Sequence, residues 1–356
     1  MRKTYVALAL VAIVAVGSIS AYLLSEGRTA LTVICAESLM FPMARVAQAF
    51  EASNPNVNVQ LEGMGSIQVI RQVTELGYEA DVLMVADCSL IPTMMYNSTI
   101  PNSNQTYADW YIRFSTTSVV LAYTRHSKYA NEINASNWYS ILERPDVSFG
   151  LPNPIVDALG YRVLITIQLA NTYYNDSNIF HDLITQNFDP AISSVANQSE
   201  YTIFVPEVQQ PNSNKILLMA SSTQLIPLLE AGSIDYCFLY LSNAKQYGFS
   251  YVQLPDQINL GNPQYESYYQ QVQVTFAYAR FASIGLDRNG DTIYFGLTVP
   301  NNAPHPTLAV KFVSYLLSGE GKQIFDSWWQ PVFSPSFTDN LAALPTALRS
   351  LVTHEP

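Results

Sequence analysis

The sequence predicts an α/β fold, and three observations near the start of the chain support this prediction. The first is an apolar, β-branched run at residues 31–38 (LTVICAES), which is typical of a buried strand leading into a helix. The second is an alternating strand pattern at residues 57–61, followed by a helical pattern at residues 67–76. The third is the apolar run DVLMVA at residues 81–86. Strands alternating with helices in this order are typical of a largely parallel sheet with helices on both faces.

Two serines stand where predicted strands end and predicted helices begin. Ser38 follows the first strand, and Ser66 follows the second. Ligands of open α/β sheets bind outside the carboxyl ends of the strands, and a helix N-terminus offers unpaired N–H groups and the positive end of its dipole. Ser38 and Ser66 are therefore predicted to form half of an anion site. Glu37 would add a negative charge beside it.

Composition limits the classes of partner. The chain has 356 residues, enough for two domains, and about half of them are hydrophobic, so a large core can form. The formal net charge of −11 makes nucleic acid and anionic membrane surfaces poor candidates as partners. An anion would have to bind through local dipoles against this unfavourable field.

The first 25 residues have the pattern of an export segment. Arg2 and Lys3 precede an apolar stretch at residues 5–24 that contains small residues near its end. The stretch is also long enough to span a bilayer, so residues 1–25 are either a signal peptide or an N-terminal membrane anchor. Both alternatives place the fold outside the cytoplasm, secreted or anchored to the outer face of the cell membrane.

Surface and cysteine patterns agree with an extracytoplasmic location. Asn-x-Ser/Thr triplets, which are glycosylation acceptors in exported proteins, lie in polar segments. The three cysteines are interpreted as buried small hydrophobic residues, because an odd number cannot complete a disulfide framework. The triplets begin at Asn97, Asn104, Asn134, Asn175 and Asn197.

The second half of the chain adds further strands and helices. Asp157 stands before a long apolar helix at residues 161–174, where a carboxylate is a suitable N-cap. Residues 175–214 are predicted to contain a helix and a hairpin, and residues 234–240 to form a buried strand. Asn289 and Gly290 predict a hairpin turn. Residues 306–317 and 321–328 are predicted to be the closing helices.

Motifs of catalysis are missing from the sequence. The four histidines have neither metal-ligand spacing nor a nucleophile motif nearby, and neither a phosphate-binding loop nor a dinucleotide fingerprint occurs. The sequence therefore favours binding over catalysis, and no cofactor is predicted.

Ten stretches, in order along residues 31–335, resemble the archaeal tungstate- and molybdate-binding proteins of ABC uptake systems. The resemblance implies a two-lobed periplasmic-binding-protein fold of type II, in which each lobe is a mixed sheet flanked by helices and the ligand cleft lies between the lobes. It also implies a monomer that delivers the oxyanion to an ABC transporter permease by hinge closure. The stretches are CAESL (35–39), GMGSI (63–67), TELGYEADVL (74–83), ADCSLIPTMM (86–95), YADWYIRF (107–114), VVLAYTRHSKY (119–129), NWYSILERPDVSFG (137–150), GYR (160–162), LLEAGSIDY (228–236) and FGLTVPNNAP (295–304).

The resemblance assigns roles to four residues. Ser38 and Ser66 match serines that donate hydrogen bonds to the oxyanion, Asp157 matches a carboxylate that approaches the tungsten or molybdenum of the bound oxyanion, and Tyr240 matches a tyrosine at the cleft. The resemblance places the second carboxylate of the family at Leu239, where this chain has no carboxylate.

Glu37 is the other departure, because it replaces a glycine of the family. It either repels the oxyanion, or replaces the missing carboxylate ligand, or points to solvent or to a basic partner while Ser38, Ser66, Asp157 and backbone N–H groups form the site. The alternative function is therefore that of a diverged paralogue that binds a different small solute or oxyanion.

The resemblance also divides the chain. One lobe is expected to comprise residues 31–118 and 295–349, and the other residues 119–294. The hinge strands are expected at residues 117–123 and 293–299.

Overall fold

The computed structural model describes residues 27–277 and 287–355, so the predicted export segment at residues 1–25 lies outside the described residues. The strands of these ranges are β1 (Thr29–Ala36), β2 (Val57–Met64), β3 (Val82–Val85), β4 (Ile112–Thr116), β5 (Val119–Tyr123), β6 (Phe149–Pro152), β7 (Phe188–Asp189), β8 (Ser193–Asn197), β9 (Glu200–Pro206), β10 (Gln210–Pro211), β11 (Ile216–Met219), β12 (Tyr236–Tyr240), β13 (Ser250–Gln253), β14 (Val272–Ala277), β15 (Asp287–Asn289), β16 (Tyr294–Thr298), β17 (Val332–Thr338) and β18 (Val352–His354).

Helices connect most of these strands, and short 3-10 turns precede or follow several of them. The α-helices of the described residues are α1 (Met40–Ser53), α2 (Ser66–Thr74), α3 (Leu90–Met95), α4 (Trp138–Glu143), α5 (Ala158–Tyr173), α6 (Ile179–Leu183), α7 (Ile226–Glu230), α8 (Leu241–Gln246), α9 (Glu266–Tyr269), α10 (Pro306–Leu317) and α11 (Gly319–Ser327).

The first lobe is built on a seven-stranded mixed sheet in the order β18-β17-β4-β16-β3-β1-β2. Strand β1 is parallel to β2 and β3, and β16 joins β3 and β4 in antiparallel fashion. The side chains of β3 are all buried, because helices cover both faces of this part of the sheet.

The second lobe is built on a five-stranded mixed sheet in the order β11-β6-β12-β5-β13, with a four-stranded sheet β15-β14-β9-β8 beside it. Helix α5 packs against both sheets, and residues 158–170 are buried without interruption. A helix that is apolar all round is expected at such a central position. The predicted α/β class with two lobes is confirmed.

Two chain crossings connect the lobes. Residues 117–118 connect β4 to β5, and residues 290–293 connect β15 to β16. The crossings lie side by side, because the Thr116 hydroxyl donates a hydrogen bond of 2.7 Å to the Ile293 carbonyl oxygen. Strands of the first lobe lie before residue 118 and after residue 293, whereas the exact boundaries of the lobes remain a prediction.

The prediction of a turn at Asn289-Gly290 is wrong. Asn289 ends β15, which pairs with β14, and the Gly290 N–H donates to the carbonyl oxygen of Val272. A Cβ atom on Gly290 would stand 2.0 Å from the Tyr269 carbonyl oxygen. The glycine is therefore required by close backbone packing and not by a turn.

The three cysteines are free and buried, as predicted. Among the described residues, the helices are too short or too polar to cross a membrane.

Candidate functional site

The carboxyl ends of β1 and β2 place the two predicted serines next to each other. In this parallel pair Ala36 is opposite Met64, so Ser38 and Ser66 each follow the last paired residue by two positions. Both are almost completely buried, and Ser66 is the first residue of α2. Both serines therefore lie just beyond the carboxyl ends of neighbouring strands, and their part in an anion site stays a prediction.

A hydrogen bond from the residue after β3 also holds the Ser66 hydroxyl in place. Its Oγ accepts a hydrogen bond of 3.0 Å from the N–H of Ala86, which directly follows β3. The hydroxyl proton remains available for another acceptor, because a hydroxyl donates one hydrogen bond and accepts others. Ser66 therefore has the orientation and the free proton that an anion donor needs.

The second lobe approaches these serines closely at Gly65. A Cβ atom on Gly65 would stand 2.2 Å from the Val156 carbonyl oxygen and 3.4 Å from the Cα atom of Asp157. A second contact joins the lobes nearby, where the Asn243 side-chain amide donates a hydrogen bond of 2.8 Å to the Ser38 carbonyl oxygen. The structure is thus a closed arrangement of the two lobes around the serines.

Asp157 is the N-cap of α5, as predicted, and it also reaches the neighbouring loop. One carboxylate oxygen accepts from the Leu159 N–H at 2.8 Å, and the other accepts from the Ser222 N–H at 3.0 Å. Burial raises the pKa of Asp157 to about 6; the two backbone N–H groups oppose this rise, and the charge of Glu37 adds to it. Each oxygen keeps a free lone pair for another contact.

The raised pKa of Asp157 predicts how the stability of the fold depends on pH. A carboxyl with a pKa of 3.8 when unfolded and about 6 when folded favours the fold most at low pH, and this contribution is lost as the pH rises through 6. We expect wild type, relative to Asp157→Asn, to lose about 2–3 kcal/mol of unfolding free energy between about pH 4 and pH 7. Urea unfolding of both proteins across this range measures the loss, and parallel pH curves would contradict it.

Tyr240 is the last residue of β12, and its hydroxyl faces the same region. It accepts a hydrogen bond of 2.8 Å from Nη1 of Arg162, a guanidinium that is only 4 % exposed. Nη1 also donates to the carbonyl oxygen of Ala86 at 2.6 Å. Arg162 therefore connects a predicted site residue of the second lobe to the first lobe.

Asp87 balances the charge of Arg162 from the opposite lobe. Its Oδ2 lies 3.5 Å from Nη2 of Arg162 and accepts a hydrogen bond from the Tyr161 hydroxyl. Burial alone would raise the pKa of Asp87, but the charge of Arg162 and hydrogen bonds from Tyr161 and Ser89 outweigh it and lower that pKa. Asp87 is therefore an ionised partner of Arg162.

Glu37 is half-buried at the start of the 3-10 turn Glu37–Leu39. Its side chain makes neither a hydrogen bond nor an ion pair with another described residue, and its charge contributes to the raised pKa of Asp157. The charge of Glu37 therefore acts on Asp157, and the role of Glu37 toward a ligand stays a prediction.

Leu239 is completely buried in an apolar environment. It points to the face of β12 opposite to Tyr240, in an apolar cluster with Leu225 and Leu229, because successive residues of a strand face opposite sides. This chain therefore has no carboxylate at the position where the resemblance places the second carboxylate of the family.

Sequence reasoning missed Arg162, Asp87 and Ser222. The signal for Arg162 was present, because a lone arginine inside an apolar helix must be paired if the helix is buried. Its partner could not be read from the sequence, since Asp87 lies 75 positions earlier in the chain.

Other features of the described residues lie apart from this region. A cavity of about 590 Å³ is lined by residues near the hinge, including Thr117, Lys245, Asn259 and Trp329, and by none of the predicted site residues. His, Cys, Asp and Glu side chains do not gather in threes that could hold a metal ion in the part of the chain that the structure describes.

Comparison with known proteins identifies the family. Residues 31–328 match the family described as bacterial extracellular solute-binding protein. The chain belongs to this family. Among solved structures, the sulfate-binding protein SubI from Mycobacterium tuberculosis aligns with a TM-score of 0.54 at 14% identity, covering 86% of this chain and 88% of SubI, which supports the fold alone.

Curated relatives cover nearly the whole chain. An uncharacterized solute-binding protein of Staphylothermus marinus is 38% identical over 331 residues, covering 91% of this chain and 89% of the relative. The molybdate/tungstate-binding protein WtpA of Thermococcus kodakarensis is 36% identical over 335 residues, covering 92% and 88%. The protein is thus an extracytoplasmic solute-binding protein of the ABC uptake type, a class of binding proteins and not of enzymes.

Proposed function

We propose that this solute-binding protein captures tungstate or molybdate between its lobes and delivers the oxyanion to an ABC transporter permease. The observation that carries the proposal is the meeting of Ser38 and Ser66 from one lobe with Asp157 from the other in a buried, closed cleft. The 36% identity to a molybdate/tungstate-binding protein supports the choice of ligand.

Each proposed site residue has a defined chemical role. Ser38 and Ser66 donate hydrogen bonds to the oxyanion oxygens. Tyr240 contributes its hydroxyl at the edge of the cleft. Asp157 faces the tungsten or molybdenum with the free lone pairs of its carboxylate. Charge alone cannot separate these anions from sulfate, so selectivity comes from the size of the cleft and from the contact of Asp157 with the metal.

Transport then depends on closure. An oxyanion that contacts both lobes stabilises the closed form, and the two adjacent crossings at residues 117–118 and 290–293 act as the hinge. The permease, the proposed partner, receives the ligand when the lobes open. The N-terminal segment 1–25 is proposed to be removed on export or to anchor the protein to the membrane, and the protein acts as a monomer.

Isothermal titration of the full-length protein with tungstate, molybdate, sulfate and phosphate tests the proposal. We expect tight binding of tungstate or molybdate and at least about tenfold weaker binding of sulfate and phosphate, which corresponds to about 1.4 kcal/mol. Heat from none of the four anions would contradict an oxyanion function.

A second candidate is a diverged paralogue that binds a different oxyanion or small solute. The observation that favours it is Glu37, whose negative charge acts on Asp157 in the same cleft. Stronger binding of sulfate or phosphate than of tungstate would select this candidate.

Replacing Glu37 by glutamine decides what this residue does to the ligand. Since its carboxylate lacks a cationic partner among the described residues and acts on Asp157, we expect it to repel a dianion. Glu37→Gln should lower the Kd for tungstate about threefold to tenfold at low salt, and less at high salt. Weaker binding by the variant would instead show that Glu37 is a ligand.

A further inference from the structure

The two lobes are joined through a continuous chain of hydrogen bonds that runs behind the proposed ligand groups. Ser66 Oγ accepts from the N–H of Ala86, and the carbonyl oxygen of the same residue accepts from Arg162. Arg162 in turn donates to the hydroxyl of Tyr240. The hydroxyls of Ser66 and Tyr240, which belong to opposite lobes, are therefore positioned by one guanidinium group.

Arg162 has no hydrogen left on Nη1 for an oxyanion. This nitrogen carries two hydrogens, and both are used, by Ala86 O at 2.6 Å and by the Tyr240 hydroxyl at 2.8 Å. The positive charge is balanced by Asp87, which Tyr161 also contacts. Nη1 of Arg162 therefore holds groups of both lobes, and its guanidinium is a buried cation that the charge of Asp87 balances.

We propose that Asp87, Tyr161 and Arg162 are positioning residues that stabilise the closed arrangement of the lobes and orient the ligand groups within it. We call these three residues the clasp. The inference rests on the proposed function, because it assigns the clasp to the same cleft.

The clasp gains its strength from burial. Hydrogen bonds that involve charged groups are stronger than neutral ones, and they strengthen further where water is excluded. Asp87 and Arg162 belong to different lobes, so opening the cleft separates the pair. The fraction of closed protein therefore depends on the clasp, and the apparent Kd is the intrinsic Kd divided by that fraction.

Distances between spin labels on the two lobes measure closure directly. Ser53 at the end of α1 and Ser233 after α7 are exposed, and both can be replaced by cysteine for labelling in the full-length protein, whose native cysteines are buried. We expect ligand-free wild type to show a short-distance population beside the open one, and tungstate to increase it. Arg162→Lys, which keeps the charge but loses the planar fork, should reduce that population about tenfold and raise the Kd for tungstate by the same factor.

Tyr161→Phe provides a milder variant, with a matched control elsewhere. It removes only the hydroxyl that donates to Asp87 and should shift the distances in the same direction by a smaller factor of about three. In the control, Tyr96→Phe, the lost hydrogen bond of 2.6 Å to Asp339 lies within the first lobe. The control should leave both the distances and the Kd unchanged.

The outcomes separate the clasp from the proposed function. The clasp is overturned if ligand-free wild type shows no short-distance population, or if both clasp variants, folded by circular dichroism, keep the wild-type distances. It is also overturned if Tyr96→Phe opens the lobes as much as Tyr161→Phe does. The proposed function fails separately, if wild type binds none of the four anions while its distances still respond to the clasp variants.

Discussion

Replacing Gly65 by alanine should abolish tight oxyanion binding while leaving each lobe folded. The added Cβ would stand 2.2 Å from the Val156 carbonyl oxygen, closer than real Cβ atoms come to backbone atoms, so the lobes would have to separate at the proposed site. Since Gly65 and Val156 belong to different lobes, the strain is absent when the cleft is open. We expect the Kd for tungstate to rise about 100-fold or more, equivalent to about 2.7 kcal/mol. Titration calorimetry measures the Kd of the variant and of wild type.

Gly63→Ala is the matched control for this substitution. Its Cβ would meet the Met40 side chain at 2.5 Å, within the first lobe, and a flexible methionine can move aside. The control should bind tungstate as wild type does. Equal affinities for Gly65→Ala and wild type would show that the closed arrangement is not the one that binds the ligand.

Replacing Ser66 by alanine should weaken both the fold and the binding. The substitution leaves the buried N–H of Ala86 without its acceptor, which should cost about 1–3 kcal/mol of unfolding free energy. It also removes a proposed hydrogen bond to a charged ligand, so we expect the Kd for tungstate to rise about tenfold to 100-fold. Urea unfolding and titration calorimetry measure the two effects separately.

Ser115→Ala separates stability from binding. The Ser115 hydroxyl is completely buried in the first lobe and donates a hydrogen bond of 2.6 Å to the Pro331 carbonyl oxygen, outside the proposed site. This variant should lose a similar amount of stability and keep the wild-type Kd. A Ser66→Ala protein that binds tungstate as tightly as Ser115→Ala would remove Ser66 from the site.

Local sequence patterns predicted the parts of the site that lie at the ends of elements. Ser38 and Ser66 follow apolar strands, and Asp157 precedes a long apolar helix, so each position was readable within about ten residues of sequence. The parallel pairing of β1 and β2 then follows from the strand–helix–strand order. The two-lobed fold was predicted from the family resemblance, because no local pattern indicates where a chain crosses between lobes.

Contacts between distant segments could not be predicted in this way. Asp87 meets Tyr161 and Arg162 only because α5 packs against the end of β3 across the cleft. Position 239 was linked to the site only by the family resemblance, and local sequence did not show that the Leu239 side chain packs in an apolar cluster on the face of β12 opposite to Tyr240.

The central claim is that an oxyanion binds where the two lobes meet at Ser38, Ser66 and Asp157. Crystals of the full-length protein can be soaked with tungstate, and anomalous data can be collected at the tungsten absorption edge. The anomalous signal then gives the position of the tungsten atom directly. The account predicts one strong anomalous peak between the two serine hydroxyls and the Asp157 carboxylate. A peak at the hinge cavity beside Lys245, or none at saturating tungstate, would contradict it.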